Sequence, residues 1–163
     1  MSLLSLNLGD SIAAFFSNPI TLSCLTSWFL SQFIKCVIVL FHIHTKSIRE
    51  VFEALLWRTG GMPSSHTAVV TSMTASLALV EGPGSNLFVV SLFIAFVVMR
   101  DAMGVRRAVG LQARAFNKFG KLFSESQNSE FIPVKEIQGH APLEVIVGAL
   151  LGIVISAVYV IIL

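Results

Sequence analysis

The run GGMPSSH, from Gly60 to His66, combines residue types that suit the binding and cleavage of a phosphate ester. It directly precedes an apolar segment, so Ser64 or Ser65 can be the N-cap of a helix. A helix N-terminus presents unpaired backbone N–H groups and a partial positive charge, which favour an anion. Gly60 and Gly61 let the backbone approach such a ligand, and His66 can protonate a leaving oxygen. The alternative is a capped helix after a glycine-rich turn.

The run GHAPLEV, from Gly139 to Val145, places another histidine before an apolar segment. Pro142 fits the first turn of a helix. His140 and Glu144 are four residues apart, so the carboxylate can bind one imidazole nitrogen and leave the other able to attack. A glutamate that only stabilises the helix N-terminus is the alternative.

Two further features supply positive charge. RDAMGVRR, from Arg100 to Arg107, offers Arg106 and Arg107 as a clamp for phosphate oxygens, with Asp101 as a supporting residue. Lys35 lies inside an apolar segment, where a charge is expensive and therefore indicates a function. The alternatives are arginines that anchor a cytoplasmic loop and a lysine that extends to the membrane interface.

Four apolar segments must position these residues. They run from about Pro19 to His44, His66 to Val80, Leu87 to Met99 and Leu143 to Leu163. The chain is 55% hydrophobic and 12% charged, with a mean hydropathy of +0.82, which excludes an ordinary soluble domain. The break Gly82-Pro83-Gly84 predicts a helical hairpin. We predict a single all-α integral membrane bundle over residues 1–163, with about four transmembrane helices, the shorter ones either extended into flanking residues or shielded by neighbours.

Basic residues are concentrated in two loops, which lie on the same side of a four-helix topology. These residues are Lys46, Arg49 and Arg58 in one loop, and Arg100, Arg106, Arg107, Arg114, Lys118, Lys121 and Lys135 in the other. Such a bias is typical of cytoplasmic loops. We therefore predict a multi-pass membrane protein with the site on the cytoplasmic face and both termini on the opposite side.

The second of these loops contains GLQARAFNKFGKLF, residues 110–123, with apolar residues at roughly helical spacing and basic residues between them. The pattern fits either a helix at the lipid headgroup surface or a solvated helix packed on the bundle. SESQNSE, residues 124–130, is predicted to be a loop.

Together the three motifs resemble the divergent branch of the type 2 phosphatidic acid phosphatase superfamily, from about Gln32 to the end of the chain. In the wider superfamily, a Pro-Ser-Gly-His motif supplies a phosphate-binding serine and a general-acid histidine. The matching range here is Pro63–His66, with Ser65 in place of the glycine. A later motif supplies an attacking histidine and an aspartate four residues on, matched by His140 and Glu144.

The chain departs from the superfamily pattern in its cations and its size. Lys35 is followed after seven residues by His42, and Val134 lies six residues before the attacking histidine; the superfamily has arginine at both places. Arg106 and Arg107 can replace these cations. The usual superfamily core has six helices, and this chain offers four.

The residues and the resemblance predict a membrane lipid-phosphate phosphatase that cleaves a phosphomonoester through a phosphohistidine. His140 would attack, Glu144 would orient it, and His66 would act as acid and then base. The predicted phosphate-binding residues are Lys35, Ser64, Ser65, Arg106 and Arg107, supported by Gly60, Gly61 and Asp101. We predict no metal, cofactor or nucleic-acid partner; the partners are membrane lipids and the substrate, and a homo-oligomer is left open.

The resemblance favours phosphatidylglycerophosphate as substrate, with phosphatidic acid and polyprenyl phosphates as alternatives. Two other functions compete with the enzyme. The missing arginines favour a non-catalytic lipid-phosphate binding or transport protein, whereas an oriented imidazole favours catalysis. A structural membrane subunit would leave GGMPSSH unexplained.

Overall fold

The computed structural model describes residues 8–42, 61–136 and 139–162. All regular elements in these ranges are helices, which confirms the all-α prediction. They are α1 (Leu8–Ser17), α2 (Pro19–His42), α3 (Ser65–Val80), α4 (Asn86–Met103), α5 (Val105–Gln127) and α6 (Pro142–Ile162). Gly60 and the basic residues Lys46, Arg49 and Arg58 lie outside the described residues.

Within the described ranges, three helical segments are long and apolar enough to cross a membrane by length and composition. These are Pro19–Ile38, the combined segment Asn86–Gln127, and Pro142–Ile162. Their outer surfaces carry large exposed apolar side chains such as Phe33, Phe93 and Val154. Exposure of such residues is unfavourable in water and favourable in lipid, so the chain is a helical membrane protein.

Helix α3 occupies the centre of the bundle and packs against α2, α4 and α6. Its 16 residues span about 24 Å, less than a hydrocarbon core of about 30 Å. Its packing is close because Gly148 of α6 lies against the Ser64 carbonyl oxygen, where an added Cβ would be 2.5 Å away. The short apolar segment that forms α3 is thus surrounded by longer helices, which is one of the two predicted ways to accommodate a segment of this length.

Hydroxyl groups join the central helices. Ser23 and Ser76 form a hydrogen bond of 2.9 Å between α2 and α3, and Ser76 donates to Ser156 of α6 at 3.1 Å. Thr26 and Tyr159 add a bond of 2.8 Å between α2 and α6. Hydrogen bonds of this kind hold helices together where the surrounding lipid provides no hydrophobic driving force.

The predicted helical hairpin is confirmed. Helix α3 ends at Val80, Gly82 adopts a φ of 86°, and α4 begins at Asn86 after the N-cap Ser85. The Ser85 hydroxyl accepts from the Phe88 N–H at 3.2 Å. A positive φ suits glycine, which lacks the Cβ atom that makes this conformation costly for other residues.

Helix α4 ends at Met103 and not at about Met99, and two further features differ from the sequence prediction. Residues 124–127 are the last turn of α5, so the predicted loop over 124–130 was wrong there and begins only at Asn128, whose φ of 50° ends the helix. Extension of a formed helix adds one hydrogen bond for each residue fixed, which outweighs the modest propensity penalty of serine. Helix α1 was not predicted. It is short, has no buried residue and contacts α2.

Candidate active site

Lys35 is held inside the bundle, between α2 and α3. Its Nζ donates to Ser65 Oγ at 3.3 Å and to Gln32 Oε1 at 3.2 Å, and the residue is only 4% exposed. A buried ammonium needs such partners because it has left water. Gln32, itself buried, was not among the predicted site residues; its position one helical turn before Lys35 was the available signal.

The beginning of α3 is capped and tied to α6. Ser64, one of the two predicted candidates, is the N-cap: its Oγ accepts from the Thr67 N–H at 3.4 Å and from Thr67 Oγ1 at 3.0 Å. The Ser64 N–H donates to the Glu144 carbonyl oxygen at 2.9 Å. Capping therefore occupies the Ser64 hydroxyl, whereas Ser65 points to Lys35 and His66 is exposed.

His140 and Glu144 form the predicted pair. His140 Nδ1 lies 2.8 Å from Glu144 Oε2, and the same oxygen accepts from the Ala141 N–H at 3.2 Å. The imidazole is buried, and the Glu144 side chain is 23% exposed. With Nδ1–H donating to the carboxylate, the Nε2 lone pair of His140 is the one able to attack an electrophile.

Gly139 and His140 contact the junction of α4 and α5. The His140 N–H donates to the Ala102 carbonyl oxygen at 3.0 Å. Gly139 lies directly against the backbone of Arg107, with no room for a Cβ atom. Both contacts are tertiary, so spacing in the sequence gave no direct signal for them. They bring the motifs RDAMGVRR and GHAPLEV together.

The two predicted arginines lie in an exposed region. Arg106 Nε pairs with Asp101 Oδ2 at 2.7 Å, and the two side chains are 46% and 41% exposed. Arg107 lines a cleft of about 280 Å³ beside Glu144. The cleft is bounded by Gly61, Arg107, Gly110, Leu111, Arg114, Gly139, Ala141 and Glu144.

His66 lies between the buried residues around Lys35 and His140 and the exposed pair of Asp101 and Arg106. It interacts electrostatically with Lys35, Asp101, Arg106 and His140. The residues singled out from three motifs and from α2 therefore converge at one end of the bundle. In the described part of the chain, no group of three or more histidine, cysteine, aspartate or glutamate residues is placed to hold a metal ion. The metal-free site remains a prediction.

Comparisons with known proteins show which family the chain resembles. Residues 16–155 match the family model described as the divergent PAP2 family. The chain is similar to the uncharacterized membrane protein YuiD of Bacillus subtilis (strain 168), with 40% identity over 121 residues, which cover 68% of this chain and 77% of that protein. No solved structure matches.

Proposed function

Because the chain belongs to the divergent PAP2 family, we propose that it is a membrane lipid-phosphate phosphatase that hydrolyses a phosphomonoester through a phosphohistidine. The observation that carries this proposal is the 2.8 Å bond between His140 Nδ1 and Glu144 Oε2. A protein that only binds phosphate needs cations and N–H donors, whereas an imidazole oriented by a carboxylate is suited to nucleophilic attack.

In the first step, His140 Nε2 forms a bond to phosphorus while the bond from phosphorus to the lipid alkoxide oxygen breaks. His66 donates a proton to that oxygen. In the second step, His66 takes a proton from water as the water oxygen attacks phosphorus. The nitrogen–phosphorus bond breaks, inorganic phosphate leaves and both histidines return to their starting states.

The phosphate oxygens are bound on one side by Lys35 and the Ser65 hydroxyl. On the other side they are bound by Arg106 and Arg107. Lys35 and Ser65 are already hydrogen-bonded to each other, so their geometry needs little change when substrate binds. Arg106 and Arg107 bind phosphate oxygens from the exposed side, where solvent and salt weaken their contribution to transition-state stabilisation. Ser64 contributes through the helix N-terminus that it caps, where backbone N–H groups favour an anion.

The substrate is a lipid phosphate presented at the cytoplasmic face, with phosphatidylglycerophosphate as the leading candidate from the family resemblance. The test is phosphate release by the purified chain from phosphatidylglycerophosphate, phosphatidic acid and a polyprenyl phosphate. An acid-labile phosphoprotein should form in the native chain and be absent from His140→Ala with a matched gel-filtration profile. Saturable lipid-phosphate binding without phosphate release or phosphoprotein would support the binding or transport protein instead.

The orientation of the chain in the membrane is tested separately. Single cysteines at Ser126, near the end of α5, and at Gly84, in the turn before α4, are introduced into a chain with Cys24→Ala and Cys36→Ala. In inside-out vesicles, an impermeant thiol reagent should label position 126 and spare position 84, and intact cells should give the reverse. The opposite pattern would place the site away from the cytoplasm.

A further inference from the structure

Helix α5 has an apolar face that points away from the rest of the described protein. Its exposed apolar side chains recur every three or four residues and thus share one face of the helix. The face consists of Val105, Val109, Phe116, Phe119, Leu122 and Phe123, and Phe119 is 67% exposed; Leu111, also exposed, lies at the edge of this face and lines the cleft. Among the described helices, α5 contacts α4 alone.

The other face of α5 is already occupied. Asn117 bonds to the Val134 backbone in both directions at 2.9 Å, and Arg114 Nε lies 3.3 Å from Glu136 Oε2. The ring of Phe131 lies against Gly120. The segment 129–136 therefore packs along the polar side of the helix. It reaches the edge of the apolar face only where the rings of Phe131 and Phe116 lie 5.8 Å apart, and Phe119 and Phe123 stay exposed.

Lipid is the occupant that fits this face. Helix α5 begins two residues after α4, whose outer surface is apolar, and the two helices together form a segment long and apolar enough to contain a membrane span. The helix carries five basic residues and one acidic residue, which are Arg106, Arg107, Arg114, Lys118, Lys121 and Glu125. A basic amphipathic helix with exposed aromatic residues is suited to a surface of anionic lipids.

We propose that α5 lies in the headgroup layer of an anionic membrane surface, with the face that includes Phe119 and Phe123 at the acyl boundary. This position of α5 affects the 280 Å³ cleft. Arg107 and Arg114 on α5 form part of the wall of the cleft, together with Ala141 and Glu144. A docked α5 holds this wall at the depth of lipid phosphates. The proposal is independent of turnover, since an inactive chain would dock in the same way.

The test places nitroxide labels on the full chain in vesicles of phosphatidylcholine and phosphatidylglycerol. The labelled variants are Phe119→Cys and Phe123→Cys, each in the Cys24→Ala, Cys36→Ala background. Glu125→Cys is the matched control, two residues from Phe123 and about 200° away around the helix. The ratio of collisions with oxygen to collisions with an aqueous nickel chelate should be several-fold higher at positions 119 and 123 than at 125.

Three results would overturn the proposal. Frequent nickel collisions at positions 119 and 123 would show a solvated face, and dipolar broadening that disappears on dilution with unlabelled chain would show a second copy. Protection from both collision agents would show a cover of protein.

A second experiment uses the milder change Phe119→Trp. The added tryptophan should give fluorescence above the background of the native tryptophans, and brominated phosphatidylcholine should quench this added fluorescence. Unquenched added fluorescence would also contradict lipid docking.

Discussion

The candidate active site has a buried side, formed by Lys35, Ser65 and His140, and an exposed side, formed by Asp101, Arg106 and Arg107. Lys35 and His140 are each 4% exposed and hydrogen-bonded within the bundle. On the exposed side, the ion pair between Arg106 and Asp101 is almost half accessible to solvent. Both sides carry positive charge, but only the buried side has its geometry fixed by packing.

This difference separates two uses of positive charge. A donor held in a water-poor site costs no reorganisation during the reaction and contributes strongly to transition-state stabilisation. An exposed cation is screened by salt and pays side-chain entropy when it adopts one geometry. We therefore expect the buried side to determine the rate of the chemical steps and the exposed side to assist capture of anionic headgroups.

His66 gives the largest expected effect, because it lies between the two sides and would transfer protons in both steps. His66→Ala should slow hydrolysis of a lipid phosphate by about 10²–10⁴-fold, the usual contribution of a general acid. With p-nitrophenyl phosphate, whose leaving group needs little protonation, phosphohistidine should accumulate in this variant and remain absent from His140→Ala. Equal losses on both substrates without phosphoprotein would assign His66 a structural role.

Lys35→Met tests the buried side directly. The variant should lose about 10²–10³-fold in kcat, comparable to removal of one preorganised donor from an oxyanion site. Thermal stability in detergent should fall modestly, because methionine leaves the buried Gln32 and Ser65 oxygens without the donor that Lys35 supplies, so kcat is measured well below the unfolding temperature of the variant. Lys135→Met, at an exposed position on the segment 129–136, is the control. A kcat close to the native value in Lys35→Met would remove the distinction between the two sides.

Arg106→Gln tests the exposed side and should have a smaller effect. We expect a loss in kcat/KM of less than about fivefold at low salt, because exposed ion pairs contribute little. The difference in kcat/KM between Arg106→Gln and the native chain should decrease as ionic strength rises. Lys135→Gln controls for the general loss of one positive charge. A salt-independent loss as large as that of Lys35→Met would mean that Arg106 acts in the chemistry itself.

Chelation of metal ions should have the smallest effect on phosphate release. If the cations of the chain neutralise the phosphate on both sides of the site, hydrolysis should continue unchanged in EDTA, and vanadate, which mimics five-coordinate phosphorus, should inhibit it. Phosphate release measured with and without chelator makes the comparison. Activity that disappears in EDTA and returns with magnesium would instead indicate metal-ion catalysis, with Asp101 and Glu144 as the first candidate ligands.

The parts of the structure that depend on local sequence were predictable. Apolar runs and the Gly82 break gave the helices and the hairpin, and spacing of four residues gave the contact between His140 and Glu144. The Ala102 carbonyl was missed because its role depends on a tertiary contact, whereas Gln32 was overlooked although it lies one helical turn before Lys35. Helix α1 was missed because a ten-residue helix is marginal without packing against another element.

The hydroxyl-rich centre of the bundle has a consequence for biogenesis. Helix α3 is short, and its Ser76 finds hydrogen-bond partners on α2 and α6. A nascent α3 therefore gains little from partitioning into lipid alone, because its polar side chains must first meet helices made before and after it. Since α6 is synthesised after α4 and α5, the central helix completes its contacts only when that late helix has entered the membrane. Membrane integration of α3 and assembly of the His140 site are thus coupled events in the maturation of the protein.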